Sequence, residues 1–318
     1  MGAPTKNQLV IVTGKGGVGR SSVSAALALE ATRRGERVLL CEVNAQARAP
    51  ALLGVDDEPR EGLWELGGGL FTLNLRPRDS MREYALMKLR YETIYDAVFE
   101  NRVVRAFLRL VPSLAETVML GKLWYEVERR DDTGRPAWDR VILDAPATGH
   151  GVAFLRVPHV LLDTVPPGPM REDAERMRRT LCDPARTTLH IVTLPEEMPV
   201  NEAIELEGQV RDVLQISLGQ LFLNCEVPPR FAPDEARRLE DAMGDALSPD
   251  VALPLTPAQT AAAAGHYQAQ QATLSARYRR KLEVELPELP ITGLPRLYSG
   301  AWGRPEIEQL SALLRSAG

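Results

Sequence analysis

Residues 9–22 read LVIVTGKGGVGRSS. Four apolar residues, Leu9, Val10, Ile11 and Val12, run into a turn holding Gly14, Gly16, Gly17 and Gly19, and an Ala-, Val- and Leu-rich segment follows from about Ser21 to Arg33. This order predicts a strand, a glycine turn and a helix. Glycines let backbone amides point inward around a phosphate chain, and the helix presents free N–H groups and a positive dipole end to the same anion. Gly14, four residues, then Gly19, Arg20 and Ser21 keep the P-loop spacing, with Ser21 placed to hold Mg²⁺ beside terminal phosphates. Arg20 stands where that pattern has lysine, and Lys15 comes early, directly after Gly14.

Further strands are predicted at residues 37–43, 141–144, 189–194 and 221–224, each short, rich in Val, Leu and Ile, and bounded by polar or turn residues. Near-continuous apolar strands separated by amphipathic helices imply a parallel sheet covered on both faces. The expected fold is α/β, a doubly wound and mostly parallel sheet, arranged as a single P-loop domain over residues 1–318. Ligands of such sheets bind at the carboxyl ends of the strands, where the glycine loop already lies. A long helix is predicted over residues 257–284, with the alanine run 261–264 inside it.

The alternation is interrupted over residues 77–130, read as an inserted helical subdomain. Tyr84, Met87, Tyr91, Ile94, Tyr95 and Val98 recur at helical spacing, as do Val103, Val104, Phe107, Leu110 and Val111; Pro112 ends that run before a helix through Leu120, Leu123, Trp124 and Val127. Such a stripe either packs on the sheet or captures a client.

The second chemical constellation is VILDAPATGHGVAFLRVP, residues 141–158. An apolar strand ending in Asp144 has the form of a Walker B element, whose carboxylate sits near Mg²⁺ and orders its water shell. Residues 145–150, APATGH, read as a glycine-hinged switch loop at the position where a γ-phosphate is sensed.

Composition bounds the rest. The chain has 318 residues, three cysteines (Cys41, Cys182, Cys225) without a CxxC pair, and a net charge of −5. That is ample chain for a core without staples, and it signals neither a disulfide framework nor a zinc clasp. The acidic balance disfavours a nucleic-acid footprint. No stretch approaches the roughly 20 apolar residues that span a bilayer, and no export signal is read at the N-terminus, so a cytoplasmic protein is expected, with membrane contact only indirect.

Residues 15–22, KGGVGRSS, together with residues 144–150, DAPATGH, resemble the ArsA/Get-type ATPases of the bacterial arsenical pump and of the targeting factor for tail-anchored membrane proteins. The likeness is strongest to the bacterial, Get-like branch. It extends to TLPEE at 193–197, LFLN at 221–224 and LPRL at 294–297. The resemblance implies a dimer that closes on two ATP molecules and reshapes a helical subdomain. By the same likeness Gly16, Gly17, Val18, Gly19, Arg20, Ser21 and Ser22 hold phosphates, Ser21 and Asp144 serve Mg²⁺, Lys15 acts across the dimer, and Asn224 reads the adenine edge. An asparagine amide both donates and accepts, which suits adenine.

Three departures matter. Relatives place a catalytic Asp after the second strand; here that position is Asn44, which cannot act as a base, and Glu42 is the nearest carboxylate, on the same side of an extended strand. Arg20 keeps the charge of lysine in a planar, bulkier fork. The cysteine pairs for arsenite or zinc are absent. Two readings follow: a slow or conditional ATPase acting as a dimeric switch on a protein client or partner, or a hydrolysis-deficient regulatory subunit paired with a paralogous ATPase. A third, a cargo-positioning ATPase on DNA or membranes, ranks below them, because the C-terminal segment 305–315 begins acidic and is expected to pack on its own domain.

Overall fold

The computed structural model describes residues 8–43, 47–55, 62–77, 79–80, 114–246 and 256–317. Eight strands form one sheet: β1 (Leu9–Gly14), β2 (Val38–Glu42), β3 (Leu63–Gly67), β4 (Leu70–Asn74), β5 (Arg140–Asp144), β6 (Thr187–Thr193), β7 (Leu218–Glu226) and β8 (Ile291–Pro295). Their order is β3-β4-β2-β5-β1-β6-β7-β8, and β3 alone among these pairings runs antiparallel, against β4. The mostly parallel, doubly wound α/β expectation holds.

Alternation along the strands divides the core. Leu9, Ile11, Leu39, Cys41, Val141, Leu143, Ile191 and Leu223 bury one face under helices Leu114–Glu128, Thr148–Thr164 and Glu197–Gln209. Val10, Val12, Leu40, Ile142, Val192 and Phe222 bury the other under helices Arg20–Arg33 and Arg304–Ala317. Both faces being covered is what allows the strands to be apolar throughout.

The C-terminal helix packs on its own domain, as expected. Ile307, Leu310 and Leu314 join the cluster around the first helix, and Arg33 Nη1 donates to Ser311 Oγ at 2.9 Å. The predicted helix through Leu120, Leu123 and Val127 is also present, and those three residues are buried against the sheet. The remaining stripe residues of the 77–130 segment, from Tyr84 to Val111, lie outside the described residues.

Two features depart from the sequence reading. A hairpin of β3 and β4 extends the sheet beyond β2, and β8 closes the opposite edge. The switch loop is also shorter than expected: Thr148, Gly149 and His150 already belong to the helix Thr148–Thr164, leaving Ala145, Pro146 and Ala147 as the connection. Helices Pro233–Ala246 and Pro257–Glu285 pack on each other, the second opened by a capping box between Thr256 and Gln259.

Central β1 lies between β5 and β6, so the chain leaves it toward β2 on one side and reaches β6 on the other. Crevices at the carboxyl ends of such strands are where α/β sheets bind ligands.

Candidate nucleotide site

The glycine loop leaves the carboxyl end of β1. At Gly14 a side chain is excluded by a close approach, since a Cβ would lie 2.2 Å from the carbonyl oxygen of Val192 on β6. Gly19 is the helix N-cap at φ 91°, and a Cβ there would lie 2.3 Å from Asn224 Nδ2. Gly16 and Gly17 face open space. Val18 buries its side chain and gives its carbonyl to Asn224 Nδ2 at 2.9 Å, so only main chain lines the turn there.

No side chain caps the first helix among the described residues, and its first turn carries no acidic group. Its leading amides, at Arg20, Ser21 and Ser22, therefore stay available to an anion. Ser21 Oγ donates to Asp144 Oδ2 at 2.5 Å, joining the loop to the end of β5. A hydroxyl and a nearly buried carboxylate in contact are hard oxygen donors, the set Mg²⁺ takes beside phosphates. The open glycine cradle and this oxygen pair fit a nucleotide with Mg²⁺.

Arg20 contacts the segment that follows β5. Its Nη1 donates to the main-chain carbonyl of Ala145, immediately after Asp144. Burial holds the guanidinium below its ordinary pKa, while Asp144 opposes that shift and Arg48 adds to it. Lys15 Nζ pairs with Glu202 on the helix Glu197–Gln209, so the early lysine has a partner in its own chain.

Glu42 ends β2 in register with Asp144 of β5, on the sheet face that carries the first helix. It is 1% exposed and accepts from the backbone amides of Arg48 at 2.9 Å and Ala49 at 3.1 Å. Burial raises its pKa to about 7 against those two hydrogen bonds, with Asp144 nearby pushing the same way. Asn44, the position of the expected catalytic carboxylate, lies outside the described residues. Asp144, Glu42 and Asn224 thus share one face at the carboxyl ends of three strands.

Sequence reading named Ser21, Asp144, Asn224 and the glycines, of which Ser21 meets Asp144 and Asn224 meets the loop at Val18 in the fold. It did not find Glu202 or the anchoring partners of Glu42, whose contacts span 187 and 6–7 residues respectively. The available signal for Glu202 was an acidic helix directly following the carboxyl end of a strand, the side of the sheet on which the loop lies.

A sequence profile of the anion-transporting ATPases matches residues 7–166, half of the chain and both chemical motifs. The chain belongs to this ATPase family. Among its relatives, ATPase BagA of Mycobacterium tuberculosis is 29% identical over 243 residues, covering 75% of this chain and 71% of the relative. The arsenical pump-driving ATPase of Acidiphilium multivorum is 23% identical over 70% of this chain, which spans 40% of that longer protein. The ATPase ASNA1 homolog of Babesia bovis is 27% identical over 48% of this chain and 39% of its own length. The family is one of nucleotide-binding ATPases, as the loop and Asp144 anticipated. No described helix is long and apolar enough to cross a membrane.

Proposed function

We propose that the chain binds ATP with Mg²⁺ at this site and works as a nucleotide-driven dimeric switch that hydrolyses ATP slowly or conditionally. The observation carrying this reading is the Ser21–Asp144 contact at the mouth of an uncapped helix and an open glycine turn. Backbone amides of residues 16–22 hold the phosphates, and Ser21 and Asp144 hold the metal. When bound, Mg²⁺ supplies neutralisation of phosphate oxygens. Asn224, whose amide holds the loop at Val18, reads the adenine edge. The segment over residues 77–130, read from its sequence as an inserted subdomain, handles a protein client or partner, and the working unit is a dimer of this chain.

A second reading, a regulatory subunit paired with a paralogous ATPase, is favoured by two observations. Position 44 carries no acid, and Arg20 gives one donor of its guanidinium to the Ala145 carbonyl. A lysine at position 20 would supply charge-assisted hydrogen bonds of the kind that stabilise a transferring phosphoryl group, and an acid at position 44 would orient the attacking water.

One paired measurement separates the two. Binding of a fluorescent ATP analogue with Mg²⁺ is titrated beside steady-state phosphate release, in the native chain and in Asn44→Asp. Binding with release in the native chain supports the switch, and binding with release only in Asn44→Asp supports the regulatory subunit. Absence of saturable binding in both removes the proposal.

A further inference from the structure

Glu202 sits where two edges of the site meet. Its Oε1 accepts from Lys15 Nζ, the residue directly after Gly14, and its Oε2 accepts from Thr148 Oγ1 at 3.3 Å, the first residue of the helix that follows β5. One carboxylate of a third helix, Glu197–Gln209, therefore gathers the start of the glycine loop and the element behind Asp144.

We infer that Glu202 is a positioning residue that parks Lys15 and Thr148 in the nucleotide-free chain and releases both to the terminal phosphates of a bound nucleotide. The inference rests on the nucleotide-binding reading above and extends it to a residue outside the loop and Asp144. The Lys15 and Glu202 side chains are 27% and 31% exposed, so the pair borders solvent instead of being sealed in the core. An ion pair so exposed stabilises only weakly, because water screens it and two long side chains are ordered to make it. A phosphate group brings more negative charge and more acceptor oxygens to the same ammonium, so the exchange runs toward phosphate.

The geometry also sets the sense of the coupling. While Glu202 neutralises Lys15, that positive charge is withheld from phosphate, and Thr148 is tied to the same carboxylate. Thr148 is held by the other oxygen of the same carboxylate, so a phosphate that displaces Glu202 from Lys15 shifts the group that also anchors the helix after β5. A mere staple between helix and loop predicts something different: its removal loosens the fold without distinguishing one nucleotide from another.

The test compares the native chain, Glu202→Gln, Lys15→Met and the double variant. Affinities for fluorescent analogues of ATP and ADP with Mg²⁺ are read alongside melting temperature. Glu202→Gln keeps the shape but removes the charge and turns one of the two acceptor positions into a donor. It is expected to tighten ATP binding about fivefold, and ADP binding less, with little change in melting temperature. In the Lys15→Met background the same substitution is expected to change nothing. Equal ATP affinity of the native chain and Glu202→Gln overturns the inference, as does a parallel loss of affinity and melting temperature. A native chain that binds neither nucleotide overturns the nucleotide reading itself, so the two failures are told apart.

Discussion

Asn224 donates its side-chain amide to the carbonyl of Val18 at 2.9 Å, which ties the end of β7 to the turn of the glycine loop across a separation of 206 residues. Gly19, next in the chain, has no room for a side chain beside that amide. Gly19→Val therefore meets two obstacles, contact with Asn224 and a backbone at φ 91°, each costing on the order of 1–3 kcal/mol. The expected outcome is a loss of at least tenfold in ATP-analogue affinity and a lower urea midpoint, read by fluorescence titration and equilibrium unfolding. Unchanged affinity would place the nucleotide elsewhere.

Removing the Ser21 hydroxyl leaves Asp144 buried without that donor. Ser21→Ala is expected to cost about 1–3 kcal/mol of stability, the usual penalty for stripping a donor from a buried acceptor. More diagnostic is the metal dependence: affinity for the ATP analogue should rise with added Mg²⁺ in the native chain and hardly at all in the variant. An equal Mg²⁺ response in both chains would separate Ser21 from the metal.

Arg20 contributes a different kind of contact, a guanidinium held against the Ala145 carbonyl. Arg20→Lys keeps the charge but shortens the donor fork to a point charge that suits a glycine cradle. Combined with Asn44→Asp, it is expected to raise phosphate release above either single change, measured as steady-state turnover at saturating ATP. A double variant no faster than Asn44→Asp alone would show that Arg20 is not what limits hydrolysis.

Two buried groups make opposite contributions to the pH dependence of stability. Burial raises Glu42 from an ordinary 4.5 to about 7, so the folded chain keeps a proton that the unfolded chain has lost. Its contribution is complete below about 4.5 and disappears as pH rises through 7. His190, on β6 with its Nδ1 accepting from the Gln220 amide, is lowered by burial from 6.5 to about 4. The unfolded chain then takes up a proton that the folded chain refuses, so this contribution is complete above 6.5 and is lost as pH falls through 4. Between pH 4.5 and 6.5 the two slopes oppose each other. Glu42→Gln should expose the His190 slope, with the variant about 2 kcal/mol less stable at pH 5 than at pH 7. Urea unfolding at the two values checks it; a flat variant would mean His190 is protonated in the fold.

A strained backbone adjoins Asn224. Cys225 has φ 56°, where the β7–β8 register shifts between Leu223 and Glu226. A non-glycine residue in that region is held against a cost of about 1 kcal/mol. Cys225→Gly is expected to leave nucleotide affinity unchanged and to raise stability by up to about 1 kcal/mol, less the entropy glycine adds to the unfolded chain. Weaker ATP-analogue binding in this variant would show that the side chain, and not the bulge alone, aims Asn224.

The sequence by itself determined the strands that are buried on both faces, because burial on both sides demands near-continuous apolar runs: β1, β2, β5 and the central parts of β6 and β7 are visible as such. It also determined the glycine loop, since spacing and residue type are local, and the serine and aspartate that meet there. It did not reveal the β3–β4 hairpin, where Trp64, Glu65 and the glycines 67–69 form an edge that is only half buried and so lacks a continuous apolar signal. Nor did it reveal β8, five residues interrupted by Gly293. The tertiary structure alone decided the partners of the polar and charged side chains around the loop. Lys15 with Glu202, Arg20 with Ala145 and Asn224 with Val18 are brought together across 187, 125 and 206 residues. Such contacts follow from strand order, which places the carboxyl ends of β5, β1, β6 and β7 side by side, and strand order is a property of how the sheet closes its core, not of any local stretch of chain.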